Sequence, residues 1–283
     1  ARQVWAGGED LDVGAAQRFD VAALADVIKS DPDARPLQEP ISAGDNHGAF
    51  VYEASGWRSF RSIRETALDS YLPELAHRLM DADKVHFWED TTFAKKPFTR
   101  QKTAFHQDLG FNQFKGGESV VFWVALDHVT VKSGGLKYVR GSHKWDQTYA
   151  PNMFVSQTTM PGALDPKCPD IEANEADFDI ISFDLAPGDV VAHDVRTIHG
   201  AGGNMTPNPR RAVSFHYCSG EARYYERPGA APRASMAIPK TEGDTLDSSD
   251  FPTVWPRPWP GARLSDLVEL ERRKSLSRKY QAA

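Results

Sequence analysis

Short apolar runs separated by turn residues dominate the chain from residue 85 onward. Many of them are rich in Val, Ile, Phe and Tyr, and glycine or proline falls between several, which is typical of a sandwich or barrel of β strands. Neither an alternation of strands with helices nor a fixed-period repeat is visible. We predict strands at residues 85–88, 103–108, 120–126, 135–140, 179–184, 190–193 and 212–217.

The first 84 residues have helical spacing instead. Apolar positions three and four residues apart predict a helix at 19–28 and a longer helical stretch at 57–80 that restarts at Pro73. Residues 1–84 are therefore expected to be mainly helical and to form an outer layer on a β core. The sequence predicts a mainly β protein with flanking α-helices.

We expect residues 1–283 to form a single domain with its core at 85–220. A polar, turn-rich stretch at 145–178 interrupts the core and has the length of an inserted lid. Residues 221–283 then supply a proline-interrupted strap and a terminal helix that carries six cations. This helix is either a solvated surface element or a subunit contact, so a homo-oligomer stays open.

Composition excludes several classes of function. The net charge of −6 argues against a large nucleic-acid footprint. The longest apolar run, residues 120–126, is far shorter than the roughly 18 residues that a membrane helix needs. Cys168 and Cys218 stand in no metal-binding or disulfide pattern. We therefore expect a cytoplasmic protein that acts on neither nucleic acid nor membranes.

Two segments bring together residues that could bind a metal. On an extended strand His106 and Asp108 point to the same face. His199 follows a predicted strand and precedes small residues, which leaves room for a ligand beside its imidazole. Two histidines and one carboxylate form the facial triad that suits non-haem Fe(II) and leaves three positions open. His193 could in principle replace His199, but we interpret it as a packing residue.

A third segment supplies a cation. Strand alternation divides residues 210–217 between two faces. One face is small and polar, as a cavity lining should be: Arg210, Ala212, Ser214 and His216. The other face is bulky and mostly apolar, and it includes Arg211. Arg210 could therefore hold a carboxylate through a two-pronged, charge-assisted contact, while Arg211 points elsewhere.

Together these motifs resemble the phytanoyl-CoA dioxygenase family of iron- and 2-oxoglutarate-dependent oxygenases. The resemblance extends over residues 106–217 and keeps the order of the family's motifs, with Arg210 eleven residues after His199. The segments that carry it are 106–109, 123–127, 133–136, 140–143, 187–190 and 199–211.

The resemblance implies a double-stranded β-helix, or jelly-roll, core. It also implies that His106, Asp108 and His199 bind iron, that Arg210 binds the distal carboxylate of 2-oxoglutarate, and that Trp123 lines the cosubstrate pocket. The cofactors would be Fe(II), 2-oxoglutarate and O2, and the reaction would hydroxylate or otherwise oxidise an unactivated C–H bond and release succinate and CO2. Asp108 favours this outcome over halogenation, because related halogenases bind halide at that position.

Departures from the family pattern concern the pocket and not the metal. Phe111 and Gln113 stand where the family often has Tyr and Pro, and Ala201 stands where some members have a serine that contacts the cosubstrate. We expect a small organic substrate with an apolar or aromatic body. The candidate pocket residues are Phe105, Phe111, Phe114 and His216, with Trp145, Tyr149 and Phe154 nearby in sequence.

Cations before the metal strand add a further possibility. Lys95, Lys96, Arg100 and Lys102 could meet an anionic group of the substrate or could be ordinary surface charges.

Two other classes of function use the same motifs. A zinc-dependent hydrolase would activate water with the same His, Asp and His, but it would need a general base and has no use for Arg210. A jelly-roll binding module without metal is the alternative that is not an enzyme.

Overall fold

The computed structural model describes residues 48–231, 236, 238–257 and 265, and the backbone of residues 3–5. The helix predicted at 19–28 lies outside the described residues, as does the terminal helix at 262–280 apart from Ser265.

Two short helices form the helical layer. Helix α1 is Arg61–Asp69 and helix α2 is Leu72–Met80. Pro73 stands in the first turn of α2, where its missing N–H costs no helical hydrogen bond, so the predicted restart is confirmed. The Tyr217 hydroxyl donates to the Ala67 carbonyl at 2.8 Å and ties α1 to the β core.

Thirteen strands are described, and most belong to two sheets. Their bounds are β1 Gln3–Trp5, β2 Phe50–Ala54, β3 Val85–Lys95, β4 Thr103–His106, β5 Phe114–Lys115, β6 Ser119–Ala125, β7 Leu136–Val139, β8 Ile180–Ser182, β9 Val190–Asp194, β10 His199–Ala201, β11 Arg210–Ser219, β12 Arg223–Tyr224 and β13 Thr253–Trp255. The major sheet has the order β1-β9-β6-β11-β3-β13, with β2 also paired to β3, and the minor sheet has the order β4-β10-β7-β8.

The major sheet is apolar on both faces, as a middle layer requires. Its outer face packs on α1 and α2 through alternate side chains such as Phe122, Phe215 and Tyr217. Its inner face packs Trp123 and Val191, with other side chains, against β7 and β8 of the minor sheet. Each fully buried side chain of this size contributes about 1.5–3 kcal/mol. The prediction of a mainly β protein with a jelly-roll core is thus confirmed. Helices α1 and α2 supply a helical layer over residues 61–80, whereas β1 and β2 are strands in the part that was predicted to be mainly helical.

Residues 145–178 pack mainly on the outer face of the minor sheet. Cys168 and Ile171 are buried there against side chains of β4 and β7. Ion pairs to Lys102, Lys137 and Arg140 hold the acidic end of the segment. A lid function for this segment stays a prediction. Phe154 of the segment packs against His106.

The described part of the C-terminal segment lies along the edge of β3. Strand β13 pairs there antiparallel with the start of β3, and Phe251 stacks on Trp88 at 4.7 Å between ring centroids. Neither described helix is long and apolar enough to cross a bilayer. The assignment of the whole chain to one domain stays a prediction.

Candidate metal centre

Three potential metal ligands converge between the two sheets. His106 ends β4, Asp108 begins a short 3-10 turn, and His199 begins β10 directly opposite His106 in the strand register. One ligand atom from each side chain lies within 4.8 Å of the other two. Strand pairing of β4 with β10 therefore brings together residues that are 93 positions apart in the sequence.

Backbone carbonyls orient both imidazoles. Nδ1 of His106 donates to the Ala104 carbonyl at 2.6 Å, and Nδ1 of His199 donates to the Thr197 carbonyl at 2.9 Å. These bonds require the hydrogen on Nδ1 and leave Nε2 as a bare acceptor. The two Nε2 atoms lie 3.4 Å and 3.6 Å from Oδ1 of Asp108.

The charge states make this cluster a cation site. Burial lowers the pKa of His199 to about 3, so its imidazole is neutral at neutral pH. Burial would raise the pKa of Asp108, but the neighbouring His199, His106 and His193 hold it well below its usual range. The ionised carboxylate of Asp108 and the Nε2 atoms of the two imidazoles thus converge on one point. Such a donor set fits a divalent transition metal with positions left open.

A third histidine contacts the carboxylate from behind. Nε2 of His193 lies 3.1 Å from Oδ2 of Asp108, and the imidazole is almost fully buried. The sequence predicts a packing role for His193; the structure places it on the inner face of β9, with a hydrogen bond to the candidate metal ligand Asp108.

Two buried cations lie side by side elsewhere on the inner face. Lys95 of β3 and Arg210 of β11 are partners in the strand register, and they are 0% and 2% exposed. Lys95 Nζ donates to the Gly202 carbonyl at 2.6 Å. The buried Nε of Arg210 has no hydrogen-bond partner among the described residues. Burial and the charge of Arg210 lower the pKa of Lys95, and burial lowers the pKa of Arg210 to about 10.

Aromatic rings flank the cation pair. The guanidinium of Arg210 lies 5.6 Å from the centre of the Trp123 ring, and Lys95 Nζ lies 4.7 Å from the centre of the Phe50 ring. Arg211 points to the opposite face, where both its side chain and its backbone N–H bind Asp127. Strand alternation thus assigns the two consecutive arginines to opposite faces, as the sequence predicts.

The predicted pocket aromatics divide into two groups. Phe111 and Phe154 each pack against His106 with ring centroids 5.3 Å apart. Phe105 and Phe114 do not line the site, contrary to our prediction. Phe105 alternates with His106 along β4 and is buried on the outer face of the minor sheet, whereas Phe114 belongs to a cluster with Trp88 and Phe251.

The other predicted pocket residues lie on different faces of the two sheets. His216 is buried on the inner face and shares a hydrogen bond of 3.1 Å with the Ser214 hydroxyl. Trp145 and Tyr149 pack on the outer face of the minor sheet, with Phe105.

Lys95 is the residue whose position the sequence did not reveal. Among the cations before β4, Lys96 and Arg100 are exposed and Lys102 pairs with Glu172 at the surface, so only Lys95 enters the interior. Its position two residues after Phe93, on the same face of an extended strand, was a sequence signal for burial. The partner across the strand, Arg210, could be identified only from the register.

These features define a class of protein: a jelly roll with a two-histidine, one-carboxylate centre between its sheets. The family model for "Phytanoyl-CoA dioxygenase (PhyH)" matches residues 21–212. The chain belongs to the phytanoyl-CoA dioxygenase family.

Curated relatives match less than the whole chain. The peroxisomal phytanoyl-CoA dioxygenase of Rattus norvegicus is 27% identical over 169 residues, which are 57% of this chain and 48% of the relative. A probable alpha-ketoglutarate-dependent hypophosphite dioxygenase of Stutzerimonas stutzeri is 25% identical over 134 residues, 45% of this chain and 43% of the relative. The chain spans about half the length of the curated relatives that it matches.

Solved structures share the fold over most of the chain. The epimerase SnoN, in complex with Fe3+, alpha ketoglutarate and nogalamycin RO, is 25% identical with a TM-score of 0.63, covering 86% of this chain and 91% of its own. The non-heme alpha ketoglutarate dependent carbocyclase SnoK is 22% identical with a TM-score of 0.66, covering 83% of this chain and 87% of its own, and it supports the fold alone.

Proposed function

We propose that the protein is an Fe(II)- and 2-oxoglutarate-dependent dioxygenase that hydroxylates, or otherwise oxidises, an unactivated C–H bond of a small organic molecule. The observation that carries this proposal is the buried pair of Lys95 and Arg210 on the inner face of the major sheet, which faces the minor sheet that supplies two of the three metal donors. Two adjacent cations in a protein interior are costly unless an anion joins them. A cosubstrate with one carboxylate for the metal and another for the cations meets both requirements.

His106, Asp108 and His199 would hold the iron. Their donors are two imidazole nitrogens and one carboxylate oxygen, and the hydrogen bonds from Nδ1 to backbone carbonyls already orient both rings. Because the protein offers three donors, three positions stay open for 2-oxoglutarate and O2. When bound, iron and 2-oxoglutarate supply the oxidising chemistry, in which O2 is consumed and 2-oxoglutarate yields succinate and CO2.

Lys95 and Arg210 would bind the distal carboxylate of 2-oxoglutarate. Arg210 offers a planar fork of donors and Lys95 a compact charge, both in a site where water does not screen them. Trp123 supports the guanidinium from the side. In this arrangement Lys95 would supply a donor to the cosubstrate, whereas Ala201 lacks the hydroxyl that some members of the family use.

The remaining inner side chains would shape the substrate pocket. Phe111 and Phe154 present apolar edges next to His106, and Phe154 also contacts Tyr52 at 5.1 Å. Ser214 and His216 offer hydrogen-bonding groups on the same inner face. The pocket suits a small molecule with an apolar or aromatic body, and the aromatic wall would exclude water from the metal.

The zinc hydrolase and the binding module account for fewer of these observations. Neither class has a use for two buried cations that lack a carboxylate partner among the described residues.

Anaerobic addition of Fe(II) and 2-oxoglutarate tests the proposal. We expect a visible charge-transfer band in the wild type, its loss in Arg210→Ala, and its retention in Arg211→Ala, the matched control on the opposite face. Succinate should form when O2 is admitted. A wild-type protein that gives neither the band nor succinate is not an oxygenase of this type.

Location and assembly are part of the same proposal. Both cysteines are buried free thiols in different core clusters, which supports a reducing compartment such as the cytoplasm. A homo-oligomer through the C-terminal helix is tested by light scattering of the full chain and of a variant with charge reversals in residues 262–280.

A further inference from the structure

His193 binds the side of Asp108 that faces away from the other two histidines. Oδ1 of Asp108 faces the imidazoles of His106 and His199, whereas Oδ2 lies 3.1 Å from Nε2 of His193. An ionised carboxylate offers only acceptors, so Nε2 of His193 is the donor. The two oxygens of one carboxylate therefore have separate partners.

The segment that carries His193 also holds the loop around Asp108. The backbone N–H of Leu109 donates to the Val195 carbonyl at 3.0 Å, and the side chain of Gln107 donates to the Arg196 carbonyl at 2.9 Å. Three consecutive residues, 107–109, thus bind the four-residue segment 193–196. This docking fixes the distance between the His193 ring and the carboxylate.

Packing fixes the ring of His193 itself. It is 1% exposed, and its centroid lies 5.3 Å from that of Tyr138 and 4.6 Å from that of His199. His193 is not part of the three-residue donor cluster. A buried ring with neighbours on these sides cannot turn its Nε2 away from Asp108 without displacing them.

From these contacts we infer that His193 is a positioning residue that restricts Asp108 to binding the metal through one oxygen. The inference rests on the proposed function. With Oδ2 engaged, only Oδ1 is available to the metal. A carboxylate free to bind through both oxygens would take one of the three positions that 2-oxoglutarate and O2 require. Hydrogen bonds of this kind to ligands typically contribute 10–100-fold to metal affinity.

Three substitutions test the role, with Co(II) as the probe. His193→Phe keeps the ring and removes the donor. In His193→Gln the amide nitrogen reaches the place of Nε2, whereas in His193→Asn it stops near the place of Nδ1. We expect His193→Phe and His193→Asn to bind Co(II) about 10–100-fold more weakly than the wild type, and His193→Gln to stay within about threefold of it.

Co(II) spectra and thermal melting complete the experiment. The visible Co(II) bands should change in His193→Phe, because a second carboxylate oxygen would replace water at one of the three open positions, and His193→Gln should restore the wild-type bands. Melting of the metal-free variants and of His128→Phe, an exposed control, reports folding.

The inference is overturned if His193→Phe binds Co(II) as tightly as the wild type, or if His193→Gln binds as weakly as His193→Phe. If His193→Phe does not fold, the difference in Co(II) affinity between His193→Gln and His193→Asn tests the inference. A wild type that binds Co(II) but forms no succinate with Fe(II), 2-oxoglutarate and O2 refutes the proposed function. The Co(II) test of His193 is unaffected by that result.

Discussion

Lys95 and Arg210 are partners across β3 and β11, and both are buried with no ion pair to a carboxylate of the described residues. Burial and the charge of Arg210 both lower the pKa of Lys95, so the charged form of Lys95 is disfavoured in the ligand-free protein. The pair therefore opposes folding of the ligand-free protein and favours binding of an anion. The same two side chains thus affect stability and affinity in opposite directions.

Replacing Lys95 by Met should show both effects. Without cosubstrate, Lys95→Met should melt at a higher temperature than the wild type, because a buried cation becomes an apolar chain of similar length. Its affinity for 2-oxoglutarate should fall about 10–100-fold, the equivalent of one charge-assisted hydrogen bond of about 1.5–3 kcal/mol. Calorimetric titration and thermal melting measure the two quantities. Lys96→Met, at the exposed neighbouring position, should change neither, and unchanged 2-oxoglutarate affinity in Lys95→Met would contradict the assignment.

Metal addition should stabilise the protein. The convergent donors of His106, Asp108 and His199 exist only in the folded chain, so a metal at 100 times its dissociation constant adds about 2.7 kcal/mol to the free energy of unfolding. For a chain of this size that corresponds to a rise in Tm of roughly 5–10 °C. Melting curves with Mn(II) or with a chelator check this. The shift should vanish in His106→Ala, and a shift that persists there would place the metal elsewhere.

Gly200 should resist substitution because β4 and β10 approach closely beside His199. A Cβ on Gly200 would lie 3.0 Å from the Phe105 ring and 3.0 Å from the Thr103 carbonyl oxygen. We expect Gly200→Ala to lose about 1–3 kcal/mol in the free energy of unfolding and to weaken metal binding. Gly202→Ala is the matched control, since nothing lies within 4 Å of its Cβ. Denaturant unfolding and metal titration measure both variants, and equal behaviour of the two would refute the steric argument.

Asp90 should make stability depend on pH. Burial raises the pKa of this carboxyl to about 7, although it accepts the backbone N–H groups of Gly56 and Trp57. Between about pH 4 and pH 7 the folded state holds a proton that the unfolded state has lost, so stability falls as pH rises through this window. The loss amounts to at most roughly 4 kcal/mol.

The comparison of Asp90→Asn with the wild type isolates this contribution. The difference in free energy of unfolding between the two proteins should change by a few kcal/mol from pH 4 to pH 7 and then level off. Asp83→Asn, at an exposed position, should follow the wild type at every pH. Parallel curves for the wild type and Asp90→Asn would mean that Asp90 does not titrate in this range.

Strand alternation and motif order made much of the site predictable. His106 and Asp108 are two residues apart, and Arg210 and Arg211 must face opposite sides of a strand whatever surrounds them. These are local properties, so the sequence alone assigns them. The class of fold follows in the same way from short apolar runs with turn residues between them.

Only the tertiary structure decided the roles of Lys95, His193, Phe105 and Phe114. Lys95 becomes the neighbour of Arg210 through the register of β3 with β11, and His193 reaches Asp108 because residues 107–109 dock on the end of β9. Phe105 lies next to a metal ligand in sequence but faces the other side of its sheet. Contacts between residues far apart in the chain depend on strand register and sheet packing. No local pattern records either of them, which is why the sequence determined the ligands of this site but not the side chains that hold them in place.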